Sequence, residues 1–147
     1  MEEKLAKFDR QIEKVKKFLD ERNLPFMVVG SGALLKCGIP LRREVSDIDL
    51  EVCCTEEQEK VFKDLQDATN PYNTDYRVLD SSKPYIFMYR NIKVNVWVVK
   101  EFTHDQWVMN NGIRYATIYS VLKKKMSYRR VKDYEDLNHI VKTLLEI

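Results

Sequence analysis

Between Phe26 and Val52 the chain reads FMVVGSGALLKCGIPLRREVSDIDLEV, and no other stretch restricts the fold as much. Four apolar residues, Phe26 to Val29, form a short buried strand, and Gly30-Ser31 turns off it into a short helix. A basic loop then leads to a second strand that carries acids at every other position: Asp47, Asp49 and Glu51. Strand side chains alternate between faces, so these three carboxylates share one face and Ile48, Leu50 and Val52 share the other. One face is built for cations and the other for a core.

Ionised carboxylates held one pleat apart repel each other unless a positive charge sits between them. A hard divalent cation, magnesium or manganese, bound jointly by carboxylates and substrate phosphate oxygens, satisfies that requirement. Asp47, Asp49 and Glu51 are the candidate metal ligands. Gly30 lets the backbone turn sharply, and the start of the following helix offers amides, with the Ser31 hydroxyl beside them, to a phosphate.

Gly30-Ser31 followed by Ser46-Asp47-Ile48-Asp49, with Arg43 four residues before the first aspartate, resembles the signature of the DNA polymerase beta-like nucleotidyltransferase superfamily. Val45 stands where that pattern often has threonine. A second run, from Lys125 through Arg130, Lys132, Asp133 and Asp136 to Leu137, resembles the closing motif of the minimal nucleotidyltransferases that include abortive-infection toxins. The two together span Phe26 to Leu137. The resemblance implies catalytic roles for Asp47 and Asp49, and nucleotide-phosphate contacts for Gly30, Ser31, Arg43 and Lys125. For Arg130 and Asp136, ion pairing between two helices is the simpler reading.

The same family commonly carries a third catalytic carboxylate on a later strand. Ile92 to Val99 is that strand, with Ile92, Val94, Val96 and Val98 on one face and Lys93, Asn95, Trp97 and Val99 on the other. The matching position is Asn95. An amide offers a metal only a neutral carbonyl oxygen and cannot take a proton from an attacking hydroxyl. Either Asp80, Glu101 or Glu51 supplies the base, or turnover has been lost.

Around this centre the pattern reads as a single domain over residues 1–147 of α/β (α+β) class, a mixed sheet of about four or five strands flanked by helices, as in the nucleotidyltransferase fold. Glu3 to Arg22 has helical apolar spacing, and Thr55 with Gln58 makes a capping box for a second helix. Strands follow at Tyr76–Leu79, Tyr85–Tyr89 and Ile92–Val99. Thr103 with Gln106 is read as capping a short helix through Met109, Ile113–Ala116 as a brief edge strand, and the remainder as two helices opening at Thr117 and near Lys132. Tyr85, Phe87, Tyr89 and Trp97 either stack a base or form cross-strand core pairs.

Composition excludes more than it selects. The formal net charge of +2 is too small to argue for nucleic acid by itself. Cys37, Cys53 and Cys54 form no Cys-x-x-Cys pair, and His104 and His139 have no ligand spacing around them, so a zinc site is not expected. No apolar run is long enough to span a membrane. With no recognisable leader, a reducing, cytoplasmic home is the expectation. Two functions stay open. One is magnesium-dependent transfer of a nucleoside monophosphate from ATP or another nucleoside triphosphate to RNA, protein or a small molecule. The other is a catalytically impaired module, as in a toxin–antitoxin pair, that binds nucleotide, RNA or a partner subunit.

Overall fold

A computed structural model of the protein describes residues 2–39, 47–69, 83–128 and 131–145. In chain order the described elements are α1 (Glu2–Asp20), β1 (Phe26–Val29), α2 (Gly30–Lys36), β2 (Asp47–Cys53), α3 (Glu56–Thr69), β3 (Tyr85–Tyr89), β4 (Ile92–Val99), β5 (Trp107–Asn110), β6 (Ile113–Ala116), α4 (Ile118–Tyr128) and α5 (Val131–Leu145). The strands form one six-stranded mixed sheet in the order β3-β4-β2-β1-β6-β5. The six described strands exceed the expected four or five, and one of them, Trp107–Asn110, falls where the sequence predicts a helix. The expected strand at Tyr76–Leu79 lies outside the described residues.

The centre of the sheet is laid down by β1, β2 and β4. Strand β1 runs antiparallel to β2, with Val29 opposite Asp49. Strand β2 runs parallel to β4, with Asp47 beside Lys93, Asp49 beside Asn95 and Glu51 beside Trp97. Each edge is a hairpin with a two-residue turn. Arg90 and Asn91 have φ of 48° and 65°, and Asn111 and Gly112 have 52° and 76°. Both central residues at positive φ match the right-handed twist of the flanking strands.

Asn111-Gly112 therefore closes β5 onto β6. The local cue Thr103-x-x-Gln106 had suggested a helix cap; the Asn-Gly hairpin signal five residues further on outweighs it. Ile113–Ala116 is a strand as expected, but an inner one, between β1 and β5.

Each face has its own core. Below the sheet, Phe8, Ile12, Val15 and Leu19 of α1 and Phe62 of α3 pack on Ile48, Leu50, Val52, Val94 and Val96. Thr55 and Gln58 cap α3 reciprocally, Gln58 N donating to Thr55 Oγ1 at 3.2 Å and Thr55 N to Gln58 Oε1 at 2.9 Å. Tyr85 and Phe87 stack on Phe62, and Tyr89 meets Phe18, which settles these aromatics as core. Above the sheet, Met27, Val29 and Ala116 pack with Ala33 and Leu34 of α2, Val121 of α4 and Ile140 of α5. Helices thus cover both faces. The upper layer sits over β1 and β6 and leaves Asp47, Asp49, Lys93 and Asn95 partly accessible over β2 and β4.

Candidate functional site

Parallel registration of β2 and β4 brings the key residues together. Asn95 stands beside Asp49 in the ladder, and its Nδ2 donates to Asp49 Oδ1 at 2.8 Å and to Asp47 Oδ2 at 3.1 Å. One amide nitrogen has two hydrogens, so a single side chain can serve both carboxylates. The opposite orientation would aim a carbonyl oxygen at two anions. Asn95 Oδ1 is buried and has no hydrogen-bond partner, a cost of about 1–3 kcal/mol. The pair of carboxylates is therefore bridged by half of an amide whose other half is left unsatisfied.

A cation is also at hand. Lys93 Nζ lies 3.6 Å from Asp47 Oδ2, with both side chains partly exposed. Alternation along the strand sets Lys93 on the face of Asn95, and that two-residue offset is the signal by which the sequence, which gives it no role, could have found it.

Gly30 closes the site from the side of β1. Its φ is +65°, and a Cβ built there would lie 2.6 Å from Asp49 Oδ2. The Asp49 carboxylate thus rests in space that any other residue would fill. Ser31 follows on α2, a seven-residue helix whose N-cap, Val29, makes no side-chain capping bond. Arg43, Ser46 and Asp80 lie outside the described residues. Lys125 falls on α4, and Lys132, Asp133 and Asp136 on α5, but their side chains lie outside the described set, as does all of Arg130.

Glu51 has a different occupation from the one expected. Its carboxylate accepts from Thr103 N at 2.8 Å and, very closely, from Thr103 Oγ1. His104 Nδ1 stands 3.4 Å from Oε2, too poorly aimed to count as a full hydrogen bond. Glu51 is 5% and His104 6% exposed. Burial opposes the charged form of Glu51, but His104 and the Thr103 donors together outweigh it and hold the carboxyl below its usual range. Because Glu51 sits on the acidic face, segment 100–106 crosses that face as a strap. Phe102 packs into the upper core and meets Trp107 and Arg114 beyond it.

The strap bounds the site and removes Glu51 from it. Among the described residues no group of three or more His, Cys, Asp or Glu side chains is arranged to hold a metal ion. What remains is a pair of aspartates with a bridging amide. Magnesium needs no more from a protein when substrate phosphates and water complete its shell, so Asp47 and Asp49 fit such an ion while Glu51 does not join them. Glu101, an alternative base, lies exposed on the strap.

Thiol chemistry finds no support. Burial pushes the Cys54 thiol up to about 11, with Glu59 adding to the shift, and burial likewise raises Cys37 and Cys53. A thiol protonated at neutral pH is a poor nucleophile. The three cysteines are free of disulfides. Among the described residues no helix is long and apolar enough to cross a membrane. Comparison with protein-family models, with curated proteins and with solved structures gives no match.

Proposed function

We propose that this chain binds a nucleoside triphosphate with magnesium at Asp47 and Asp49 and transfers its nucleoside monophosphate to an acceptor. The observation that carries the reading is the in-register meeting of Asp47, Asp49 and Asn95 on neighbouring parallel strands, with Gly30 pressed against Asp49. A bound magnesium would neutralise the phosphates and polarise the reacting phosphorus. Asp47 and Asp49 would hold it, Gly30 and Ser31 would lie against the outer phosphates, and Lys93 would offset charge on the leaving group. The acceptor oxygen forms a bond to the α-phosphorus as the bond to pyrophosphate breaks.

Asn95 cannot take the acceptor's proton, and the Glu51 carboxylate is engaged by the strap. This favours an acceptor whose attacking oxygen is already ionised, such as a terminal phosphate, over an ordinary hydroxyl. Arg43 and Lys125 enter the proposal through sequence resemblance alone.

The test is incubation with each α-labelled nucleoside triphosphate, magnesium or manganese, and phosphorylated and unphosphorylated RNA or protein. Label should move to the acceptor with release of pyrophosphate, and Asp47→Asn should abolish it while remaining folded. Transfer by the folded Asp47→Asn protein would sink the assignment. A second reading, nucleotide binding without turnover, is favoured by the Asn95 amide bonded to both aspartates, at the position where the sequence resemblance implies a third carboxylate. It predicts magnesium-dependent binding with no pyrophosphate from any acceptor.

A further inference from the structure

The two edges of the sheet are treated differently. Along β3, the outward N–H of Ile86 donates to Gln66 Oε1 at 2.9 Å and that of Met88 to Thr69 Oγ1 at 2.9 Å. Gln66 is buried for this purpose, at 2% exposure. Helix α3 thus caps one edge with side chains, a recognised way of preventing strands from adding to it.

The other edge has no such cover among the described residues. Strand β5, Trp107–Asn110, is exposed at every position, with Trp107 at 44%, Val108 at 51% and Met109 at 59%. It carries no charge, proline or bulge. The two-residue Asn111-Gly112 turn makes Asn110 and Ile113 a hydrogen-bonded pair, so Val108 and Tyr115 form the next one. Thr117 N donating to Gln106 O at 3.1 Å continues the same alternation. Trp107 and Met109 consequently turn their N–H and C=O groups out of the sheet.

We infer that β5 docks antiparallel on β5 of a second copy of this chain, with the two-fold axis through Val108. The sequence is complementary to itself in that register. Trp107 of each copy faces Met109 of the other on the acidic side, a sulfur–aromatic pair made twice. These are the residues with outward backbone groups, so each pair exchanges both N–H···O bonds. On the opposite side Val108 meets its own symmetry mate, and Gln106 meets Asn110 at both flanks. Asp105, the charge nearest the strand in sequence, is already paired with Lys123 at 3.3 Å, and Arg114, opposite Met109 on β6, is drawn over the Phe102 and Trp107 rings. With a formal charge of +2 per chain, long-range repulsion between copies is slight. An isologous closed pair uses up both edges, and both acidic faces come to lie on the same side of the extended sheet.

A four-residue strand makes a small interface, so the dimer should dissociate on dilution. Sedimentation over a range of protein concentrations, without nucleotide, reads it directly. Val108→Glu and Val108→Lys each set like charges across the axis, and each should weaken self-association by about tenfold or more. Their equimolar mixture should associate again as a mixed pair. Met109→Pro removes an outward donor without touching the bonds to β6 and gives the same loss should a charged variant fail to fold. A wild-type chain that stays monomeric at every concentration overturns the inference. So does self-association that survives all three substitutions, or a mixture no tighter than its components. None of these results bears on nucleotide binding, so failure here and failure of the proposed function are distinguishable.

Discussion

Replacing Gly30 by alanine separates the geometry of the site from the stability of the fold. Two effects act there. A non-glycine residue at φ +65° pays about 1–2 kcal/mol of left-handed backbone strain. In addition, the new Cβ would stand 2.6 Å from Asp49 Oδ2, closer than real contacts allow, so the carboxylate must shift from its place against Gly30. Gly38 provides the control: its φ is +89° and nothing lies within 4 Å of a built Cβ. Gly38→Ala therefore carries the strain without the clash.

Denaturant unfolding should show both variants destabilised by about 1–2 kcal/mol, with Gly30→Ala the worse. Titration with magnesium and a nucleoside triphosphate should show binding unchanged in Gly38→Ala and weakened by about tenfold or more in Gly30→Ala, since displacing one of two carboxylate ligands removes at least about 1.4 kcal/mol. Equal binding by the two variants would refute the claim that Asp49 depends on the space Gly30 leaves.

Asn95→Asp places a third carboxylate among Asp47 and Asp49 and removes the bridging donor; its melting temperature should fall without magnesium and rise with added magnesium by more than wild type does. Thr103→Val deletes the hydroxyl that bonds Glu51 and should cost about 1.5–3 kcal/mol, yet leave magnesium binding at Asp47 and Asp49 intact; a parallel loss of metal binding would return Glu51 to the ligand set. Because the folded Glu51 carboxyl titrates below its usual 4.5, its stabilising share is present above that pH and drains away as pH falls through the lower folded value. In Thr103→Val that acid-side decline should be shallower, read by unfolding at stepped pH. Gln66→Leu leaves the Ile86 N–H without its acceptor and should cost about 1–3 kcal/mol by the same unfolding assay.

The centre of the fold was legible because alternation is a strict signal. Strands β2 and β4 fell where period-two patterns put them, β1 and β3 where short apolar runs did, and the acidic face followed from Asp47, Asp49 and Glu51 without any structure. Asn95 was singled out only through the resemblance, and its bonds to both aspartates were not legible, since they depend on the parallel register of β2 with β4. Two errors have one source. The segment from Lys100 to Met109 contains a local capping cue, so it was read as helix. Its real course is set by tertiary bonds from Thr103 to Glu51 and by the Asn111-Gly112 turn. Missing the strap left Glu51 free on paper to act as a metal ligand. Alternation shows which face a carboxylate takes, but not which partner reaches it there.

Whether Asp47 and Asp49 hold a magnesium–nucleotide complex is read by calorimetric titration of each nucleoside triphosphate into the purified protein, with and without magnesium, repeated on Asp49→Asn. Binding should require magnesium in the wild type and disappear in the folded variant. Magnesium-independent binding, or binding that Asp49→Asn leaves unchanged, would contradict that assignment.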